Sequence, residues 1–361
     1  MKSTAYVLTA FRQPLERREI EVPALRPGEL LVKLTARGVC GSDVHMYLGE
    51  DPRTPLPLIL GHEGVGVVAA MQGPRQTLDG GTVHEGDAIT WNRGVACGRC
   101  YACKVLREPS YCTDRRIYGI NLSTEQPPYL NGCYSEYLVL RPGTDLYGVP
   151  AGADPAALVS ACCSGATVAH AFEYARIQPG DTVVILGPGP LGIWASYFAR
   201  HAGAQNVVVI GGAPNRLNIC RRFGATHTLN RRELDAEQRL EAVLALTGGR
   251  GADVVIEAAG TNGAAVEGIR LTRQGGLFLC TGYAQPAGAE AVDFFTDVVR
   301  RGITIQGVWV SDARHVWQAV RTAAADPALF ASILSHRLTL AQANEALALM
   351  QAKQAVKIAL V

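Results

Sequence analysis

The stretch Thr182-Val183-Val184-Ile185-Leu186-Gly187-Pro188-Gly189-Pro190-Leu191-Gly192 decides the fold. Its first five residues form an unbroken, mostly β-branched apolar run, the pattern of a strand buried on both faces. The next six fit G-x-G-x-x-G, and Leu191 to about Ala202 reads as the helix that follows. Alone the glycine pattern is weak evidence, and a plain turn would explain it. Placed between a strand and a helix, it is the context in which backbone approaches a pyrophosphate resting on the helix N-terminus. Gly187, Gly189, Leu191 and Gly192 are therefore candidate cofactor contacts.

The pattern repeats toward the C-terminus. Val207-Val208-Val209-Ile210, Val254-Val255-Ile256 and Gly276-Leu277-Phe278-Leu279-Cys280 are further apolar runs separated by helical stretches. This alternation predicts an α/β unit, a doubly wound parallel sheet with helices on both faces. After Thr304 to Trp309 come two more helical segments and a closing strand, Val356 to Val361. The second strand ends Ile210-Gly211-Gly212-Ala213-Pro214-Asn215-Arg216, with no Asp or Glu to read the ribose hydroxyls of NAD. Gly211 removes the repulsion that would exclude a 2′-phosphate, and Arg216 offers a positive charge. The cofactor is NAD or NADP, with these residues favouring NADP.

Residues 1 to about 160 read differently, as short strands with Gly and Pro turns: Met1 to Leu8, Leu30 to Ala36 and Gly64 to Ala69 are candidates. Inside this mainly-β part lie Cys97, Cys100, Cys103 and Cys112, spaced Cys-x2-Cys-x2-Cys-x8-Cys. Four thiolates this close match a closed tetrahedral zinc site, structural because no position is left for substrate. A second set is scattered: Cys40-Gly41-Ser42-Asp43-Val44-His45, Gly61-His62-Glu63, and Cys163-Ser164-Gly165-Ala166-Thr167. Singly, each is unremarkable. Together Cys, His and Cys make a catalytic zinc set with its fourth position open.

The bulk numbers bound these readings. A chain of 361 residues has room for two domains, and 48% hydrophobic with 18% charged residues is ordinary for a globular protein. No apolar run is expected to span a membrane, and the N-terminus lacks the apolar core of a signal peptide. A net charge of +2 gives no electrostatic case for nucleic-acid binding. Ten cysteines without a secretion signal indicate a reducing cytoplasm and metal thiolates rather than disulfides.

The order of the motifs, Cys-Gly-x-Asp-x-His, Gly-His-Glu, the four-cysteine knuckle, and a Cys before a nucleotide fold, resembles the zinc-dependent medium-chain dehydrogenase/reductase family. The likeness covers essentially the whole chain, with the polyol and threonine dehydrogenase branches as the nearest style. It implies a GroES-like catalytic domain over 1–164 and 307–361 and a Rossmann domain over 165–306, with two zinc ions per chain. It implies that Cys40, His62 and Cys163 hold catalytic zinc, that Glu63 can approach or exchange onto the metal, and that Asp43 orients His62. Ser42 would accept the substrate proton and His45 pass it on toward solvent, with Thr167 on the nicotinamide side. The segment ending at Thr304 to Trp309 would build a dimer or tetramer. The activity implied is hydride transfer between a secondary alcohol and NAD(P), giving a ketone or aldehyde in a reversible reaction.

Two features depart from the family pattern. The knuckle has one residue more than usual before its last cysteine, and Cys162 precedes Cys163, so either sulfur could face the metal. The segment before the knuckle, Thr90-Trp91-Asn92-Arg93, places Arg93 at a pocket position by family alignment. A guanidinium suits hydroxyl or carboxylate oxygens, which favours a polyol, sugar or hydroxy acid. The other reading of Arg93 is a surface residue, or one paired with Glu50 or Asp51. Tyr47 and Tyr118 to Asn121 are further pocket candidates. Rival classes are a zinc-ribbon nucleic-acid module, a zinc-free quinone-reductase relative, a zinc-binding protein without dehydrogenase activity, and a simple alcohol or aldehyde reductase.

Overall fold

The structure, a computed structural model, describes residues 1–361. It divides into two compact units, Met1–Ala166 with Val310–Val361, and Thr167–Trp309.

The first unit is built on strands β1 (Lys2–Leu8), β2 (Leu30–Val39), β3 (Glu63–Met71) and β4 (Ala88–Trp91). β2 is the centre of a seven-stranded sheet. It pairs antiparallel with β3, with Tyr137–Leu140 and with the C-terminal strand Ile358–Leu360. Alternation along β2 feeds two cores. Leu30, Val32 and Leu34 join one apolar cluster with Trp91 and Leu138, while Leu31 and Val39 join another with Tyr134 and Ile358. The closing strand is therefore part of the sheet's interior.

In the second unit six strands run parallel: β5 (Thr182–Leu186), β6 (Asn206–Gly211), β7 (His227–Asn230), β8 (Ala252–Glu257), β9 (Thr272–Cys280) and β10 (Thr304–Gly307). Their spatial order is β7-β6-β5-β8-β9-β10, so the order reverses beside β5, where ligands bind in such sheets. All five residues of β5 are buried, as an unbroken apolar run requires.

Two expectations need correction. The C-terminal segment carries three α-helices, Ala313–Ala325, Pro327–Ala331 and Ala343–Gln351, rather than two. Asp326 starts the extra one by accepting the Leu329 N–H at 3.1 Å, with Pro327 at the first helical position. The helical run Pro155–Ala175, of mean hydropathy 1.3 in its most apolar window, is long and apolar enough to cross a membrane, contrary to the sequence reading; 83% of that window is buried inside the protein.

Candidate active site and cofactor-binding edge

Helix α1 (Gly41–Leu48) begins at Cys40, and Asp43 fixes that start. Its Oδ2 accepts the Cys40 N–H at 2.8 Å and the Tyr134 hydroxyl at 3.3 Å, while Oδ1 stands 3.3 Å from His62 Nδ1. His62 immediately precedes β3. One fully buried carboxylate thus ties the helix that carries Cys40 to the ring of His62. The donor atoms of Cys40, His62, Glu63 and Cys163 all lie within 4.8 Å of one another. His62 and Glu63 are buried, whereas Cys40 and Cys163 are half-buried. Two thiols, an imidazole whose Nδ1 faces a carboxylate, and a nearby carboxylate are the donors zinc takes, so the residues fit the metal. Burial works against charging His62, but Asp43 and then Cys40 lift its pKa to about 9.

Cys163 reaches this group from a single π-turn, Ala161–Gly165, closed by a bond from Gly165 N–H to Ser160 carbonyl at 2.9 Å. Its neighbour Cys162 points elsewhere, with Sγ 3.0 Å from Thr90 Oγ1. Cys163 is therefore the sulfur brought to the donor group. Arg93 is 6% exposed and lies against the Cys163 sulfur. Burial lowers its pKa, but Cys163 and Cys40 more than offset this. Arg93 is not a solvent residue, and neither suggested partner holds it: Glu50 pairs with His45, and Asp51 with Arg53. Its Nη1 has no hydrogen-bond partner.

The remaining pocket candidates make packing and hydrogen-bond contacts within the first unit. Tyr47 packs on the Tyr134 cluster, Tyr118 is fully buried with its hydroxyl 2.8 Å from Thr144 Oγ1, and Asn121 bonds the backbone at Arg115 and Ile117. Ser42 and His45 lie three residues apart on α1, hence on one face. Ser42 Oγ is 3.4 Å from His62 Nε2, and His45 Nδ1 is 2.6 Å from Glu50 Oε2 on the exposed side.

One residue that sequence reasoning missed is Lys357. It is 1% exposed, and its ammonium pairs with the Glu63 carboxylate. Burial would discharge the lysine, but Glu63 and then Cys40 hold its pKa above the usual value. Burial in turn raises Glu63, with Lys357 opposing. The one available signal was a single cation inside the apolar closing strand.

The four knuckle cysteines carry no disulfide, and their sulfurs also lie within 4.8 Å of one another. A tetrahedron with Zn–S near 2.3 Å has edges of about 3.8 Å, so the cluster fits zinc. Backbone N–H groups of Cys100 and Cys97 point at Cys97 Sγ and Cys112 Sγ, at 3.4 and 3.2 Å. Between Cys100 and Cys112 the chain forms a π-turn, Ala102–Leu106, which takes in one more residue per turn than an α-helix does.

In the second unit, Gly187 has φ 110° and opens the turn after β5. A side chain at Gly192 would strike the Gly187 carbonyl, so helix α2 (Pro190–His201), capped by Gly189, packs directly onto the turn. Leu191 lies in its first turn. Such a backbone cradle fits a pyrophosphate. Thr167 is buried on Ala166–Ala175. Gly211 ends β6, and Arg216 sits half-buried one helical turn on. Two further arginines flank the same strand end: a methyl placed on Gly212 would lie 3.2 Å from Nε of both Arg231 and Arg232. They arrive there because Gly211 pairs with Asn230 in the parallel ladder. At the end of β8, buried Glu257 accepts N–H bonds from Ala259, Gly260 and Gly282 at 2.7, 2.6 and 3.2 Å, tying together the loops after β8 and β9.

Comparison with known proteins places this geometry. Residues 26–151 match the alcohol dehydrogenase GroES-like domain, and 190–326 the zinc-binding dehydrogenase domain. A 5-exo-hydroxycamphor dehydrogenase of Pseudomonas putida is 33% identical over 350 residues, covering 95% of this chain and 94% of that one. The chain belongs to the zinc-dependent medium-chain dehydrogenase family. The fold of this dehydrogenase superposes on an alcohol dehydrogenase of Thermotoga maritima with a TM-score of 0.96 at 45% identity, covering 100% of this chain and 99% of that one. A zinc-binding dehydrogenase of Sinorhizobium meliloti 1021, solved bound to NADP, gives a TM-score of 0.87 at 26% identity, with 100% and 99% covered. The dehydrogenase is accordingly an alcohol dehydrogenase-type oxidoreductase that acts on a small molecule with zinc and a nicotinamide cofactor.

Proposed function

We propose that this dehydrogenase interconverts a polar secondary alcohol, a polyol, sugar or hydroxy acid, and its carbonyl counterpart, using NADP and two zinc ions per chain. The observation that carries the substrate reading is Arg93. A buried guanidinium with an unpartnered Nη1, set beside the half-buried Cys163, offers a charged donor where a substrate oxygen would lie. A pocket meant for a plain alkanol would leave that donor desolvated and unmatched.

Cys40, His62 and Cys163 would hold one zinc, with the knuckle holding the other. When bound, zinc supplies Lewis acidity toward the substrate oxygen and NADP accepts or returns the hydride. Ser42, beside His62, receives the hydroxyl proton, and His45 one turn along passes it toward Glu50 and solvent. Asp43 holds the His62 ring in place throughout. The NADP reading rests on a strand end without carboxylates, where Arg231 and Arg232 lie beside Gly212 and Arg216 follows in the next helix.

Support for self-association comes from β10. It is an edge strand bonded only to β9, and Phe294 and Phe295 nearby in sequence are 64% and 69% exposed. A second copy adding its own β10 would cover such an edge and give a homodimer.

The test of the substrate reading is a rate comparison with NADP across polyols, hydroxy acids and simple alkanols, in native enzyme and in Arg93→Ala. Loss of a charged hydrogen bond should cut kcat/KM for the polar substrates by about 10- to 100-fold and leave alkanols nearly unchanged. An unchanged ratio between the two substrate groups would refute it.

A further inference from the structure

Resting on the reading that the turn over Gly187 to Gly192 receives the cofactor's phosphates, we propose that Glu257 is a positioning residue for the nicotinamide half of the cofactor. Its carboxylate clamps together the two loops over which that half lies.

Glu257 closes β8 and pairs with Leu186, the last residue of β5. Both strands therefore end at the same level, beside the point where the strand order reverses. On one side of β5 lie β6 and β7, whose ends bring Gly211, Arg231 and Arg232 to the adenosine half. The nicotinamide half falls to the other side, over the ends of β8 and β9.

The Glu257 side chain is fully buried, and its two oxygens are divided between two loops. Oε1 accepts the N–H groups of Ala259 and Gly260, in the loop after β8, at 2.7 and 2.6 Å. Oε2 accepts that of Gly282, in the loop after β9, at 3.2 Å. The Glu257 carbonyl adds the N–H and hydroxyl of Thr281 at 3.0 and 2.7 Å. Burial raises the pKa of the carboxyl, and the loop N–H groups oppose that rise, so the charge is balanced by backbone and not by a cation. A carboxylate suits this task because both its oxygens accept, whereas an amide would turn its own donors toward one loop.

The clamp works at close quarters. A methyl on Gly282 would lie 2.5 Å from the Gly260 nitrogen and 2.7 Å from Glu257 Oε2, so the two loops meet backbone to backbone. The loop after β8 also abuts the phosphate turn. A methyl on Gly187 would lie 2.9 Å from the Ala259 nitrogen, and Ala258 donates its N–H to the Leu186 carbonyl at 2.8 Å. One buried carboxylate thus fixes the floor of the nicotinamide half relative to the turn that takes the phosphates.

The experiment measures binding to the full-length enzyme by calorimetry with two probes. One is the reduced cofactor, NADPH or NADH, whichever the native enzyme binds more tightly. The other is the matching adenosine fragment, 2′,5′-ADP or ADP, which has no nicotinamide. Glu257→Gln should weaken the reduced cofactor by about tenfold or more, the scale of a lost hydrogen bond to a charged group, and leave the fragment within about twofold. Gly282→Ala, which pries the loops apart and leaves the carboxylate in place, should show the same split. Equal weakening of both probes overturns the proposal, since that is what a merely structural carboxylate would give; so does no weakening of either. If Glu257→Gln does not fold, Gly282→Ala decides by the same criterion. Gly192→Ala, whose methyl would strike the phosphate turn, checks the underlying reading: unchanged binding of both probes would remove that reading and the proposal with it.

Discussion

Asp43 does the most with the fewest atoms. Its two oxygens hold the start of α1 under Cys40, the ring of His62 and the hydroxyl of Tyr134. Such partners behind a ligand typically carry 10- to 100-fold in metal affinity. Asp43→Asn keeps the shape but loses the charge, and should speed zinc release to a chelator by about that factor; an unchanged rate would show that the carboxylate does not govern His62. At this scale the sequence was uneven as a guide. The scattered donors could be gathered only through a family resemblance, because Cys40, His62 and Cys163 share no local spacing. Lys357 showed only as a lone cation in the apolar closing strand, since its partner Glu63 lies on another strand of the sheet. Arg93 was visible as a residue type but not in its surroundings: burial against Cys163 is a tertiary fact.

Among elements, the inner parallel strands were the most legible, because a strand covered on both faces is mostly apolar, and β5 is buried throughout; the half-buried, polar β7 was not read. The π-turns were not legible. Apolar periodicity reports a repeat of 3.6, and a single turn of wider pitch leaves no trace in it, although such turns carry Cys163 and brace the knuckle. Helix starts such as Asp326-Pro327 could have been read from capping chemistry. The cofactor edge adds a lesson about neighbours in space. Arg231 and Arg232 follow the third strand of the parallel sheet, not the second, yet pairing of Gly211 with Asn230 delivers them beside Gly212. If they bind a 2′-phosphate, Arg231→Ala with Arg232→Ala should raise KM for NADP at least about tenfold, as expected when charge-assisted hydrogen bonds are lost, while KM for NAD stays within about twofold. Equal losses for both cofactors would point to a general weakening of the fold.

For the molecule as a whole, the closing strand Ile358–Leu360 returns the chain to the centre of the first unit's sheet and brings Lys357 onto Glu63 of the candidate donor group. In the second unit, Phe294, Phe295 and Ile305 are exposed near the edge strand β10, the face through which we propose self-association. Ile305→Lys with Phe295→Asp should shift the sedimenting species to a smaller one without loss of secondary structure; an unchanged sedimentation coefficient would place self-association elsewhere. Family membership explains the two units and their chemistry, but the central claim is more specific. It is that a reactive metal sits on Cys40, His62 and Cys163, apart from the knuckle. The most direct measurement is the zinc content of purified native enzyme and of Cys163→Ser by elemental analysis. Native enzyme should hold about two zinc ions per chain and the variant about one, the closed knuckle keeping its own. Equal zinc in the two proteins would contradict the assignment.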